Sequence, residues 1–192
     1  MPDHSIFAII LAAGESNRFG STKQLAQWDG LTLVSRAVRL AESVCGDRSV
    51  LVVGNDWQQV LSSCGPQLGF FVRNEDYASG IASSITCGVG SAAHTADAVL
   101  LLMADQPLIT AQHLDALIAL WRATPEDIVV SEYASVQGPP VIFPARCFES
   151  LSQLEGDQGA RAVLSDGSFS VSGIDFEAAA IDIDTPEDLA SL

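Results

Sequence analysis

Two runs in this chain are apolar at every position: "IFAIIL", residues 6–11, and "VLLLM", residues 99–103. The first is continuous and rich in β-branched residues, so it reads as a strand with both faces covered. Between and around these runs the pattern changes period. In "LTLVSRAVRLAESV", residues 31–44, Leu33, Val34, Ala37, Val38, Ala41 and Val44 share one helical face. "SVLVVG" is strand-like and closes on Gly54. "DWQQVLSSC" suits a short helix, "LGFFV" a strand, and "SGIASSITCGVGSA" a helix of small residues. Residues 97–105, "DAVLLLMAD", form a second buried strand ending on a carboxylate. "TAQHLDALIALWRA" is amphipathic, with Thr110 as N-cap. This alternation predicts a parallel sheet with helices on both faces. Ligands of such sheets bind beyond the carboxyl ends of the strands. The loop after Leu11 and the turn at Asp105 both fall there.

The later chain is less regular. "DIVVSEY" and "GPPVIFP" read as strands, and "GDQGARAVL" as a loop entering a helix. "AAAIDIDTPEDLASL" reads as a strand followed by a helix, with Thr185 as N-cap, Pro186 at the first helical position and Glu187 and Asp188 in the first turn. The 192 residues are expected to form one domain, 1–192.

With 9 basic against 24 acidic residues the net charge is -15, and no basic stripe offers itself to a nucleic acid or an anionic membrane. No window approaches the roughly 20 apolar residues that cross a bilayer. The start carries Asp3 and no basic residue, unlike a secretory leader. The four cysteines form no CxxC pair and no zinc spacing, so they are expected to be reduced, mostly buried thiols of a cytoplasmic protein. His4, His94 and His113 stand apart from one another and are expected at the surface or in caps.

Against that acidity one stretch stands out. "LAAGESNRFGSTKQ" holds small residues where backbone must approach a ligand, with Gly14 and Gly20 free to adopt unusual conformations. Successive N–H groups in such a loop make an anion-binding concavity. Arg18 and Lys23 add two positive charges, and Lys23 is the only lysine in the chain. A polyphosphate ligand needs a local positive site in so negative a body. The loop is not a Walker A motif, because Ser21 and Thr22 separate Gly20 from Lys23, and it is not GxGxxG. A carboxylate at the end of "VLLLMAD" is costly to bury unpaired, unless it serves the turn before Pro107.

"LAAGESNRFGSTKQL", followed in order by "NEDYASGIASSITCG", "LLLMADQPLIT", "GPPVIFP", "GDQGARAVL" and "IDIDTPEDL", resembles the MobA-like nucleotidyltransferases. The likeness covers nearly the whole chain. "ADQP" with "GDQGAR" resembles in particular the molybdenum cofactor cytidylyltransferases. The resemblance implies a three-layer α/β/α, Rossmann-like nucleotide-diphospho-sugar transferase fold with a mostly parallel sheet. It implies transfer of CMP from CTP to the phosphate of a pterin cofactor, with release of pyrophosphate and with Mg²⁺ as cofactor. Nucleotide binding would fall to Leu11, Ala12, Ala13, Gly14, Arg18, Lys23, Gly80 and Ser84, and catalysis to Arg18, Lys23 and Asp105. Metal would sit on Asp105 and Asp184, with Asp182 as the fallback for the second, because strand alternation puts both on one face. The acceptor would meet Asp157 and Arg161. Guanylyl-transferring relatives usually carry two glycines at the positions of Ala13 and Gly14, which favours CTP here. Ile81 and Ala82 replace the usual Met and Ser. A molybdoenzyme or its chaperone is the implied protein partner. Two other readings are a same-fold enzyme acting on another phosphorylated acceptor, and a non-catalytic nucleotide-binding accessory protein. A phosphate monoester is largely dianionic at neutral pH, its second pKa being about 6, so the attack needs no general base.

Overall fold

The computed structural model describes residues 4–16, 18–65 and 68–192; Asp3 lies outside them. The first apolar run becomes β1 (Ile6–Ala12). A small hairpin of β2 (Gln27–Trp28) and β3 (Leu31–Thr32) leads into α1 (Leu33–Cys45), which Thr32 caps by accepting from the Ser35 N–H. Then come β4 (Ser49–Val53), α2 (Trp57–Cys64), β5 (Phe71–Arg73), α3 (Ile81–Ala92) and β6 (Ala98–Met103). After α4 (Ala111–Ala123) the chain makes β7 (Ile128–Tyr133), β8 (Val136–Pro144), α5 (Phe148–Ser152), α6 (Arg161–Ser165), β9 (Val171–Asp175) and α7 (Pro186–Ala190).

Seven of these strands form one sheet in the order β5-β4-β1-β6-β8-β7-β9. All neighbouring pairs are parallel except those of β8, which runs against both β6 and β7. Strand parity sorts the core. Ile6, Ala8, Ile10 and Ala12 of β1 face Val34, Val38 and Ala41 of α1 and Leu114, Leu117 and Trp121 of α4. Ile9, Leu11 and Ala13 face the other way, onto Ile85 and Val89 of α3 and Leu151 of α5. Three layers follow from that alternation, as expected. Gly88 of α3 lets this small-residue helix lie on the sheet, since a Cβ there would press on Ile9 and Val52.

The order matters for the site. From β1 the chain moves outward to β4 and β5, then returns to place β6 on the other side of β1. The crevice between the carboxyl ends of β1 and β6 is therefore the point where strand order reverses, the usual place for a ligand in an open α/β sheet.

Three sequence expectations are corrected. Residues 181–184 are extended but join no sheet; their backbone link to the site is the Ile183 N–H donating to the Asp105 carbonyl at 2.9 Å. The alternation still holds, with Ile183 fully buried and Asp182 and Asp184 on the opposite side. The strand expected from Leu68 begins only at Phe71, in the edge strand of the sheet, where Phe70 and Phe71 are exposed. His113 is not at the surface: it is buried, its Nε2 2.8 Å from Ser131 Oγ, and its ring stacks on Phe176. Ser131 donates to the Pro140 carbonyl, so the imidazole must carry its proton on Nε2. All four cysteines are free thiols; Cys64 and Cys147 are buried, Cys45 and Cys87 half-buried.

Burial pulls His113 down from 6.5 to about 4. Between those values the unfolded chain binds a proton that the folded chain refuses. The contribution is whole above pH 6.5 and is lost as pH falls toward 4. Chemical denaturation across this window is expected to show a shallower loss of unfolding free energy in His113→Gln than in the parent protein.

Candidate active site

The loop leaving β1 is wired by its own side chains. Gln24 is buried and donates from Nε2 to the Gly14 carbonyl at 3.0 Å. Its Oε1 accepts from Ser16 Oγ at 3.1 Å, and Ser16 Oγ accepts the Lys23 N–H at 3.0 Å. Thr22 Oγ1 donates to Asp56 Oδ2 at 2.5 Å, tying the loop to the turn after β4. That turn is itself constrained: a Cβ on Gly54 would collide with the Ala13 carbonyl and the Tyr77 ring. Sequence reasoning missed Gln24 and Asp56, though a glutamine next to the only lysine was a visible signal.

This wiring sets where the lysine goes. Lys23 Nζ lies 2.6 Å from Asp105 Oδ2 and 3.1 Å from Asp184 Oδ1. The Lys23 and Asp105 side chains are only 14% and 15% exposed. Arg18, at 75% exposure, places a guanidinium nitrogen 2.9 Å from Asp184 Oδ2. Burial acts to lower the Lys23 pKa, but the Asp105 charge and the hydrogen bonds to Asp105 and Asp184 outweigh it and hold it above 10.5. The group is an ammonium at neutral pH. Burial, and then the charges of Asp105 and Asp184, push Asp182 up to about 6.

The expected positive site thus has its charge already balanced. Two cations meet Asp105 and Asp184, with Asp182 adjoining. An incoming triphosphate brings negative charge that these side chains alone do not neutralise. A divalent metal fits that deficit, and Asp105 Oδ1 is shielded with no hydrogen-bond partner. Among the described residues no group of three or more His, Cys, Asp or Glu is arranged to hold a metal. Two carboxylates with phosphate and water completing the shell is the arrangement magnesium ordinarily adopts.

Two cavities meet at this cluster. One, of about 370 Å³, lies under the loop and is lined by Leu11, Ala13, Gly14, Arg18, Lys23, Gly80, Ser84, Asp105, Asp157 and Asp184, among others. Ala12 is not among its walls, because its side chain points into the core beneath α1. The other, of about 320 Å³, is more apolar and runs past Gln106, Tyr133, Pro139, Val141 and Arg161, and includes Asp182. They share Leu11, Ile81, Met103, Asp105 and Asp184. Gly80 (φ 110°) lets the α3 start sit against the Gly156 backbone, where no Cβ would fit; that contact brings Asp157 to the first cavity. Ser84 accepts from the buried Asn74 side chain at 3.0 Å. Arg161 donates from Nε to the Gln137 carbonyl at 3.0 Å, on the second cavity. The sequence-chosen residues therefore gather at one crevice, Ala12 excepted.

A glycine-rich loop, a lysine on paired carboxylates and two joined cavities at the switch point define a nucleotide-handling α/β enzyme. The chain belongs to the MobA-like NTP transferase domain family, whose model matches residues 8–171, and is a nucleotidyltransferase. It is similar over 95% of its length to the purine catabolism protein PucB of Bacillus subtilis, at 33% identity and 93% coverage of that protein. It is 30% identical to a nicotine blue oxidoreductase of Paenarthrobacter nicotinovorans, over 97% of this chain and 96% of that one. It is 25% identical to the molybdenum cofactor cytidylyltransferase of Escherichia coli, over 96% and 93%. A solved homologue of Rv0371c from Mycobacterium sp. strain JC1 superposes with a TM-score of 0.83 at 30% identity, covering 97% of this chain and 96% of that one.

Gln24→Ala removes the hydrogen bond to the Gly14 carbonyl and the one that Ser16 Oγ donates. Each lost hydrogen bond is worth about 1 kcal/mol. Urea unfolding is expected to show about 1–3 kcal/mol of destabilisation, accompanied by weaker retention of nucleoside triphosphate.

Proposed function

We propose that the protein transfers CMP from CTP to the phosphate of a pterin cofactor, releasing pyrophosphate. The observation that carries nucleotidyl transfer is Lys23, bridging Asp105 and Asp184 at the junction of the two cavities. The loop cavity suits the nucleotide and the more apolar one, flanked by Arg161, suits the acceptor. The choice of CTP and of a pterin rests on the resemblance of "ADQP" and "GDQGAR" and on the Escherichia coli relative. PucB and the oxidoreductase relative are more identical to this chain, which favours a second reading: the same transfer to another phosphorylated acceptor.

In the reaction an acceptor phosphate oxygen bonds to the α-phosphorus of CTP, and the bond from that phosphorus to the β-phosphate bridging oxygen breaks. Pyrophosphate carries the electron pair away. The acceptor is largely dianionic near neutral pH, so no side chain need take a proton from it. Lys23 and Arg18 exchange carboxylate for phosphate oxygens and stabilise the charge that develops on the leaving group. Asp105 and Asp184 are the residues that would hold Mg²⁺. The ion, when bound, supplies charge neutralisation at the phosphates of the two substrates. Gln24 and Ser16 keep the loop backbone in place while the phosphates enter.

Two outcomes test this. Lys23→Ala is expected to lower turnover on the order of a hundredfold, the usual cost of removing one preorganised charge, with thermal unfolding still cooperative; unchanged pyrophosphate release at saturating CTP contradicts the role. Among CTP, GTP, ATP and UTP offered with pterin and sugar phosphates, CTP with the pterin is expected to release pyrophosphate. Release only with another acceptor supports the second reading, and release with none overturns transfer.

A further inference from the structure

We propose that Lys23 gates the metal position: its ammonium occupies the place between Asp105 and Asp184 until a triphosphate draws it off, so metal and nucleotide bind cooperatively. This rests on the reading of those two aspartates as metal ligands.

The ammonium sits 2.6 Å from one carboxylate and 3.1 Å from the other. A small divalent ion binds carboxylate oxygens at roughly 2.1 Å. It cannot take Asp105 Oδ2 and Asp184 Oδ1 while the ammonium holds both, and of the oxygens left Asp105 Oδ1 is shielded from solvent and Asp184 Oδ2 is held by Arg18. Like charges at that range also repel. The Lys23 backbone is pinned through Ser16 to Gln24, so the exchange is a movement of the side chain within a fixed loop. The loop cavity reaches both Lys23 and the carboxylates, so phosphate oxygens entering it offer the ammonium another partner. Arg18 is a weaker competitor, because of the two aspartates it pairs with Asp184 and not Asp105, and it is largely exposed. Linkage then requires that nucleotide raise metal affinity and metal raise nucleotide affinity by the same factor.

The direct test is Mn²⁺ binding to the nucleotide-free protein, followed by the paramagnetic resonance of free Mn²⁺. Lys23→Met is expected to bind at least about fivefold tighter than the parent, the lower end of ordinary coupling between sites. Lys23→Met/Asp105→Asn is expected to lose that gain, and Arg18→Met to show a smaller one. Circular dichroism checks the fold, and Lys23→Gln serves if Lys23→Met is unstable. If parent and Lys23→Met bind Mn²⁺ equally, and Asp105→Asn weakens both, the gate is overturned while the metal reading stands. If neither binds Mn²⁺ at millimolar levels, both are overturned.

Discussion

The Lys23 ammonium joins three parts of the chain that are far apart in sequence. Its bonds to Asp105 and Asp184 span 82 and 161 residues. The first loop, the turn after β6 and the extended segment before α7 meet at this cation, beside the Ile183–Asp105 backbone bond and the Arg18–Asp184 ion pair. An ion pair so enclosed gains little net stability, because desolvation offsets most of its attraction. What it does is fix geometry: it keeps two carboxylates side by side that would otherwise repel, beside a third, Asp182, that already resists ionisation.

The fold supplies the rest. β1 and β6 are buried on both faces, and Asp105 follows two residues past β6 with its side chain only 15% exposed. The Arg36 guanidinium donates to the Pro107 carbonyl at 2.7 Å and lies over Trp28, fastening the turn that follows Asp105 to the β2–β3 hairpin. Asp188 accepts from the Asp184 and Thr185 N–H groups and completes a capping box with Thr185, the N-cap of α7, so the last carboxylate of the cluster is set by a helix start. Lys23, Asp105 and Asp184 are thus each positioned by a local motif with its own reason to form.

Much of this was legible in the residues. Continuous apolar runs announce parallel strands, and the loop with the only lysine announces the phosphate side. The carboxylate after "VLLLM" announces the opposite wall. Other features leave no local trace. "GPPVIFP" reads as a strand, but nothing in its pattern says that it runs antiparallel between β6 and β7. "AAAIDID" alternates like a strand, yet Glu177–Ala180 turns as a 3-10 helix and the remainder joins no sheet. His113 looks like a helix-surface residue until Ser131 of β7 and Phe176, just past β9, arrive to bury it. Charge, the small-residue loop and the family resemblance point both cations at phosphate. That they first satisfy Asp105 and Asp184 depends on a distance only the fold sets.

Because the chain has one lysine, that ammonium can be watched without interference. Labelling lysine with ¹³C at the ε-carbon gives a single side-chain signal, and its titration reports the Lys23 pKa directly. The signal is predicted to titrate above 10.5 in the free protein, to fall back toward the ordinary value in Asp105→Asn, and to shift when CTP is added. A freely titrating signal that ignores both Asp105→Asn and CTP would contradict the account.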